Sequence, residues 1–119
     1  MIQFSEVIIE PTNKKRDGRR LYRVVKPIEV RLNGSFLCII EEGFESDGAS
    51  IPFFASFKWK SWGRHSAAAI LHDHLLETSD HTKWLVDILF YLALRSLGVP
   101  ALEAHIFYFA VRLKREKSN

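Results

Sequence analysis

One cysteine in 119 residues, Cys38, cannot close an internal disulfide and cannot build a cysteine-rich zinc module. The redox compartment is left open by that scarcity. Six glycines and four prolines, with no biased run, exclude collagen-like and disordered chains. The longest apolar stretch, Trp84 to Leu94, has 11 residues with Asp87 inside it. A spanning helix needs roughly 20, so no transmembrane segment is expected. The opening Met1-Ile2-Gln3-Phe4-Ser5-Glu6 lacks the basic-then-apolar order of a signal peptide. A soluble protein is the expectation.

What is present is 47% hydrophobic and 26% charged residues, enough apolar material for one packed domain over 1–119. The net charge of +3 is unevenly distributed. Residues 12–23 carry +5 and residues 112–119 carry +3, which leaves −5 on the other 99. The basicity sits in one loop and one tail on an acidic body. Such runs bind phosphate backbones or are simply solvated, and no recognisable nucleic-acid reading motif accompanies them.

Residues 1–50 are β-rich. Branched and aromatic residues cluster at Phe4–Ile9, Leu21–Leu32 and Phe36–Ile40, separated by a polar basic loop over Thr12–Gly18 and by Asn33-Gly34, while Pro27 interrupts the second run and favours an edge or a bend there. An antiparallel meander of three or four strands is expected. Residues 51–63 form an aromatic loop, and residues 64–77, 81–97 and 100–115 read as helices, the last running into the basic tail. Ser79 and Asp80 are candidate N-caps for the second helix, Gly98 suits its left-handed end, and Pro100 suits the first turn of the third. Leu102, Ile106, Phe109 and Leu113 give the third helix an expected core stripe. The middle helix is apolar nearly all round and should be the buried central element. The fold class is α+β, a meander packed against a three-helix unit.

The sharpest chemical cluster is Ala69-Ile70-Leu71-His72-Asp73-His74, with Asp87 on the next helix. His72 projects among Ala68, Ala69, Leu75 and Leu76, on the inward face. The connection between these helices is centred near Ser79 and Asp80, midway between positions 72 and 87. In an antiparallel hairpin His72 and Asp87 therefore stand at the same height and should face each other if the helix rotations agree. Asp87 is ringed by apolar neighbours, where an unpaired carboxylate is costly. Either Asp87 orients His72 as a general base, with Asp73 binding substrate or metal, or the pair is a buried clamp fixing helix register.

A second cluster, Glu45-Ser46-Asp47-Gly48-Ala49-Ser50-Ile51-Pro52, is a well-made turn that brings the Asp47 carboxylate and the Ser50 hydroxyl to a strand end. A third, containing Phe53, Phe54, Phe57, Trp59 and Trp62 with interleaved lysines, is either a hydrophobic cover or a contact surface for a partner protein, a glycan or a lipid surface. His65 lies seven residues before His72 on nearly the same face, so a His65, His72 and Asp87 set is a candidate divalent-metal site, though without close ligand pairs. His74 should point away from this face. Cys38 is expected to be an inert buried thiol.

Taken in order, Ser46-Asp47-Gly48-Ala49-Ser50-Ile51-Pro52, a tryptophan-bearing loop, Ala69-Ile70-Leu71-His72-Asp73-His74-Leu75, Asp87 with Phe90, and Gly98-Val99 resemble a family of small phage and prophage proteins of unknown function. The resemblance covers about residues 43–112, and it implies that Asp47, Ser50, His72, Asp73 and Asp87 are the positions that matter. Ser46, Leu76, Lys83 and Val86 depart from the family's Thr, Tyr, Arg and Ala. The helical hairpin also looks like the core of secreted phospholipases in arrangement, without their calcium loop or disulfides.

Two functions follow as expectations. In one, a phage-encoded hydrolase-like protein uses His72 as base, Asp87 as its orienting partner, Asp73 and Asp47 as metal or substrate contacts and Ser50 as an auxiliary hydroxyl. In the other, a non-enzymatic virion or assembly protein uses the same polar cluster as a clamp and the aromatic loop to contact other phage proteins. A nucleic-acid role, resting on the basic clusters, would show binding that weakens steeply with salt.

Overall fold

The computed structural model describes residues 1–16, 18–46 and 62–113, with the side chains of residues 19 and 62–64 left aside. Six strands and three helices lie within them: β1 Ile2–Phe4, β2 Ile9–Arg16, β3 Arg19–Val24, β4 Ile28–Leu32, β5 Ser35–Ile40, β6 Glu45–Ser46, α1 Trp62–Thr78, α2 Lys83–Ser96 and α3 Ala101–Leu113. This is an α+β arrangement, with the strands in two antiparallel three-stranded sheets rather than one meander. One sheet has the order β1-β4-β5 and the other β2-β3-β6.

The division falls at Pro27. Proline supplies no ladder N–H, and the chain bends between β3 and β4 at residues 25–27. Asn33 and Gly34, both with positive φ (51° and 85°), make the tight turn that sets β4 against β5, pairing Leu32 with Ser35 and Ile28 with Ile40. The expected loop over 12–18 is mostly strand: Lys15 pairs with Arg20 and Arg16 with Arg19, after an irregularity between Pro11 and Lys15. The polar residues there carry no alternating apolar signal, because this hairpin is largely exposed.

Helix ends follow local chemistry. Thr82, not Ser79 or Asp80, caps α2, accepting from the Leu85 N–H. Ser79 instead ends α1, its N–H and hydroxyl both donating to the Leu75 carbonyl. Gly98 (φ 90°) donates to the Arg95 carbonyl, and Val99 to the Leu94 carbonyl. That pair of bonds is the Schellman arrangement expected of glycine at this place. The Pro100 carbonyl then accepts the first bond of α3, from Ala104.

The core gathers Val24, Ile28, Val30 and Ile40 from the sheets with Ile70, Leu71, Val86, Phe90, Leu94 and Phe107 from the helices. Each such side chain contributes roughly 1.5–3 kcal/mol by leaving water. Helix α2 packs against both α1 and α3 and touches β1, whose Ile2 N–H donates to Ser96 Oγ. It is central, but Trp84 lies outside, 58% exposed. The expected stripe of α3 is reversed. Leu102, Phe109 and Leu113 are exposed at 75%, 59% and 85%, while Glu103, Ala104, Phe107 and Val111 face inward. The inward face is the one that meets polar partners on the other helices, and apolarity alone did not reveal it.

Candidate functional site

His72 on α1 and Asp87 on α2 meet as the symmetry about the inter-helix turn implies, with His72 Nε2 2.5 Å from Asp87 Oδ1. His72 is 3% exposed and Asp87 is fully buried. A carboxylate only accepts, so the Nε2 facing it carries the proton, and in the neutral ring the Nδ1 lone pair is left free to accept. Burial pushes the His72 imidazole below its usual value. The Asp87 hydrogen bond and the charges of Asp87 and Asp73 pull the other way, while Lys83 adds to the lowering. The ring is therefore neutral near pH 7. No described residue hydrogen-bonds Nδ1.

Two residues that sequence reasoning left outside the site complete it. Lys83, one turn before Asp87, places Nζ 2.6 Å from Oδ2 and also donates to the Val111 carbonyl. Arg112 reaches the same Oδ2 from α3 with Nη1 at 2.9 Å. The i,i+4 spacing of Lys83 and Asp87 was a usable signal. Arg112, counted with the basic tail, had none, because its role depends on how α3 is rotated. Three helices thus converge on one carboxylate, and Lys83 and Arg112 already more than balance its charge.

A second polar contact lies next to the first. Ser46 Oγ, buried at the end of β6, is 2.5 Å from Asp73 Oδ2, and Arg16 Nη2 approaches the same oxygen at 3.9 Å. The start of the 46–52 motif is thereby fastened to the helix that carries His72 and Asp73. Asp47, Ser50, Phe53, Phe54, Phe57 and Trp59 lie outside the described residues. Trp62 opens α1, and its side chain is likewise outside the description.

The His65, His72 and Asp87 set is not assembled. His65 Nε2 instead faces Glu103 Oε2 at 3.7 Å, and its ring meets Phe107 edge-on with centroids 4.1 Å apart. Among the described residues no group of three or more His, Cys, Asp or Glu is placed to hold a metal ion. His74 does lie on another side of α1 from His72, but it is buried rather than solvated. Cys38 is half-buried on β5, its thiol pushed up to about 11 by burial. The basic hairpin is partly neutralised: Lys14 pairs with Glu45, and Arg23 with Glu10. No helix among the described residues is long and apolar enough to cross a membrane.

Comparison with known proteins adds a family but no reaction. The chain is 34% identical over 74 residues to "Uncharacterized protein y4jT" of Sinorhizobium fredii (strain NBRC 101917 / NGR234), a match covering 60% of this chain and 22% of that protein. The chain therefore spans only about a fifth of the relative it matches. No solved structure matches. Residues 22–111, from β3 through the Val111 carbonyl that receives Lys83, match the model described as "Protein of unknown function (DUF1353)", and the chain belongs to that family.

Proposed function

We propose that this chain is a small phage- or prophage-encoded accessory protein, acting in the host cytoplasm or the virion, with a hydrolase-like site in which His72 is the general base. The observation that carries the reading is the state of His72: neutral, its Nε2–H committed to Asp87, its Nδ1 bonded to no described residue. A clamp does not call for this residue. Asp87 already has Lys83 and Arg112 as counter-charges, so its burial does not depend on an imidazole.

In the proposed step Nδ1 takes a proton from water or a substrate hydroxyl as that oxygen bonds to an acyl or phosphoryl centre, and it returns the proton to the leaving group as the bond between that group and the centre breaks. The imidazolium so formed keeps its Nε2–H on Asp87, whose negative charge stabilises it. Burial, with a smaller contribution from Lys83, holds the resting pKa down, so the base is unprotonated at neutral pH. Asp73, fixed by Ser46 and Arg16, is assigned to substrate or metal contact with Asp47, and Ser50 to an auxiliary hydroxyl. The residues of the aromatic loop are assigned to contact with other phage proteins.

A second reading is favoured by one observation, the convergence of α1, α2 and α3 on Asp87 in an interior where His72 is 3% exposed. There the cluster is a clamp in a non-enzymatic virion or assembly protein. Treatment of the folded full chain with diethyl pyrocarbonate separates the two. A base with a reachable Nδ1 is modified at a rate comparable to that of the exposed His81, and His72→Gln abolishes the protein's biological activity while the chain stays folded. A sealed clamp leaves His72 unmodified until the chain unfolds, and His72→Gln then acts only through stability.

A further inference from the structure

The outer side of the α2–α3 pair carries apolar side chains where a folded chain ordinarily shows charge. Leu102, Phe109 and Leu113 fall within about 40° of one another around α3, at helical intervals of seven and four residues. The buried Ala104, Phe107 and Val111 occupy the opposite side. Those three and Trp84 of α2 are each more than half exposed. A ridge of rings joins the two helices: Tyr91 meets His105 and Tyr108 edge-on, with centroids 4.9 and 6.0 Å apart, and Tyr108 meets Phe109 at 5.8 Å. Trp84, seven residues before Tyr91, shares its face of α2. The charges are equally one-sided. Asp87 and Glu103 are the only carboxylates in residues 83–113, and both are buried, whereas Arg95 and Arg112 are exposed. Lys114, Arg115 and Lys117, against Glu116, follow α3 in the sequence and add further positive charge.

We propose that this face docks on an anionic lipid surface, lying in the headgroup layer without crossing it. A contiguous set of exposed apolar side chains marks an interaction site. A helix held in the plane of a bilayer sinks Leu, Phe and Trp below the headgroups and sets Lys and Arg against anionic lipids. Leu102, Phe109, Leu113 and Trp84 supply the first group, and Arg95 with the cations that follow α3 supplies the second. Tyr91 and Tyr108 put rings with a polar tip between them, as the boundary between hydrocarbon and water favours. A second copy of the chain is opposed by charge: a two-fold contact through this face brings cations together with no exposed carboxylate to meet them. A zwitterionic bilayer would accept the apolar groups and leave the cations without counter-charge. Arg112 keeps its bond to Asp87 throughout, and the proposal is independent of the role of His72.

The test is co-sedimentation of the folded full chain with vesicles of phosphatidylcholine alone and of phosphatidylcholine mixed equally with phosphatidylglycerol. The mixed vesicles are expected to bind the chain at least about tenfold more tightly, and raising the salt from about 50 to about 500 mM should remove most of that advantage. Leu102→Ser with Phe109→Ser, both at exposed positions and so compatible with folding, should weaken binding to the mixed vesicles by about tenfold or more. Leu113→Ser, at the exposed end of α3, repeats that test at a single site with a smaller loss. Lys114→Gln with Arg115→Gln should reduce the preference for phosphatidylglycerol and leave the weak binding to phosphatidylcholine unchanged. No binding to the mixed vesicles, equal binding to both kinds, or undiminished binding by the Leu102 and Phe109 double variant would each overturn the proposal. So would a concentration-dependent dimer that the same double variant dissociates, which would assign the face to a second copy.

Discussion

His72 and His74 stand two residues apart on α1. Both are buried, and burial pushes both imidazoles below their usual value. Their surroundings are otherwise opposite. His72 meets a fully buried carboxylate shared with Lys83 and Arg112, whereas the Nδ1 of His74 meets nothing among the described residues and its ring borders a cavity with an acidic rim. Because 200° of helical rotation separates them, one faces the helical interior and the other the sheet edge near Phe44. Burial alone therefore does not define a histidine's role. The partner of each nitrogen does.

The most severe way to break the contrast is Asp87→Ala, which leaves a buried lysine without its carboxylate and releases His72 and Arg112. A loss of about 3–5 kcal/mol is expected in urea unfolding, enough to threaten folding altogether. His72→Leu removes one hydrogen bond to a carboxylate that keeps two other donors, so a loss of about 1–3 kcal/mol is expected by the same measurement. The two substitutions together should cost less than the sum, since they share one partner.

pH sharpens the comparison further. A histidine whose folded pKa is depressed binds its proton more readily in the unfolded chain, so stability rises with pH through that window and falls as pH drops below about 6.5. His65, His72 and His74 all shift in this direction, each mainly through burial. Unfolding free energy should therefore decline from pH 7 to pH 5, by at most about 1.4 kcal/mol per pH unit for each histidine. His74→Leu should flatten that slope. The same substitution at pH 7.5 is the smallest effect: it removes an orphan nitrogen and should be neutral or stabilising by up to about 1 kcal/mol. A loss as large as that of His72→Leu would show that His74 has a partner after all.

Much of this organisation was legible in the chain. The change of period before residue 64, the Asn33-Gly34 turn and the Gly98 stop are local signals, and local chemistry decides them. The pairing of His72 with Asp87 needed only helix geometry and the position of the connecting turn. What stayed hidden depends on how elements are rotated against each other. Helix α3 carries two plausible faces, and the one with more apolar side chains turned outward because Glu103 meets His65 and the Val111 carbonyl meets Lys83. Arg112 follows from that same rotation. The β2–β3 hairpin was unreadable for another reason: an exposed polar ribbon has no buried face to impose alternation.

The central claim is that Asp87 holds His72 as a neutral Nε2–H imidazole with a basic Nδ1. Observation of the ring nitrogens by ¹⁵N NMR between pH 5 and 8 tests it directly. The account predicts a proton on His72 Nε2, none on Nδ1, and a titration midpoint below 6.5. A ring protonated on Nδ1, or one that is cationic at pH 7, would contradict it.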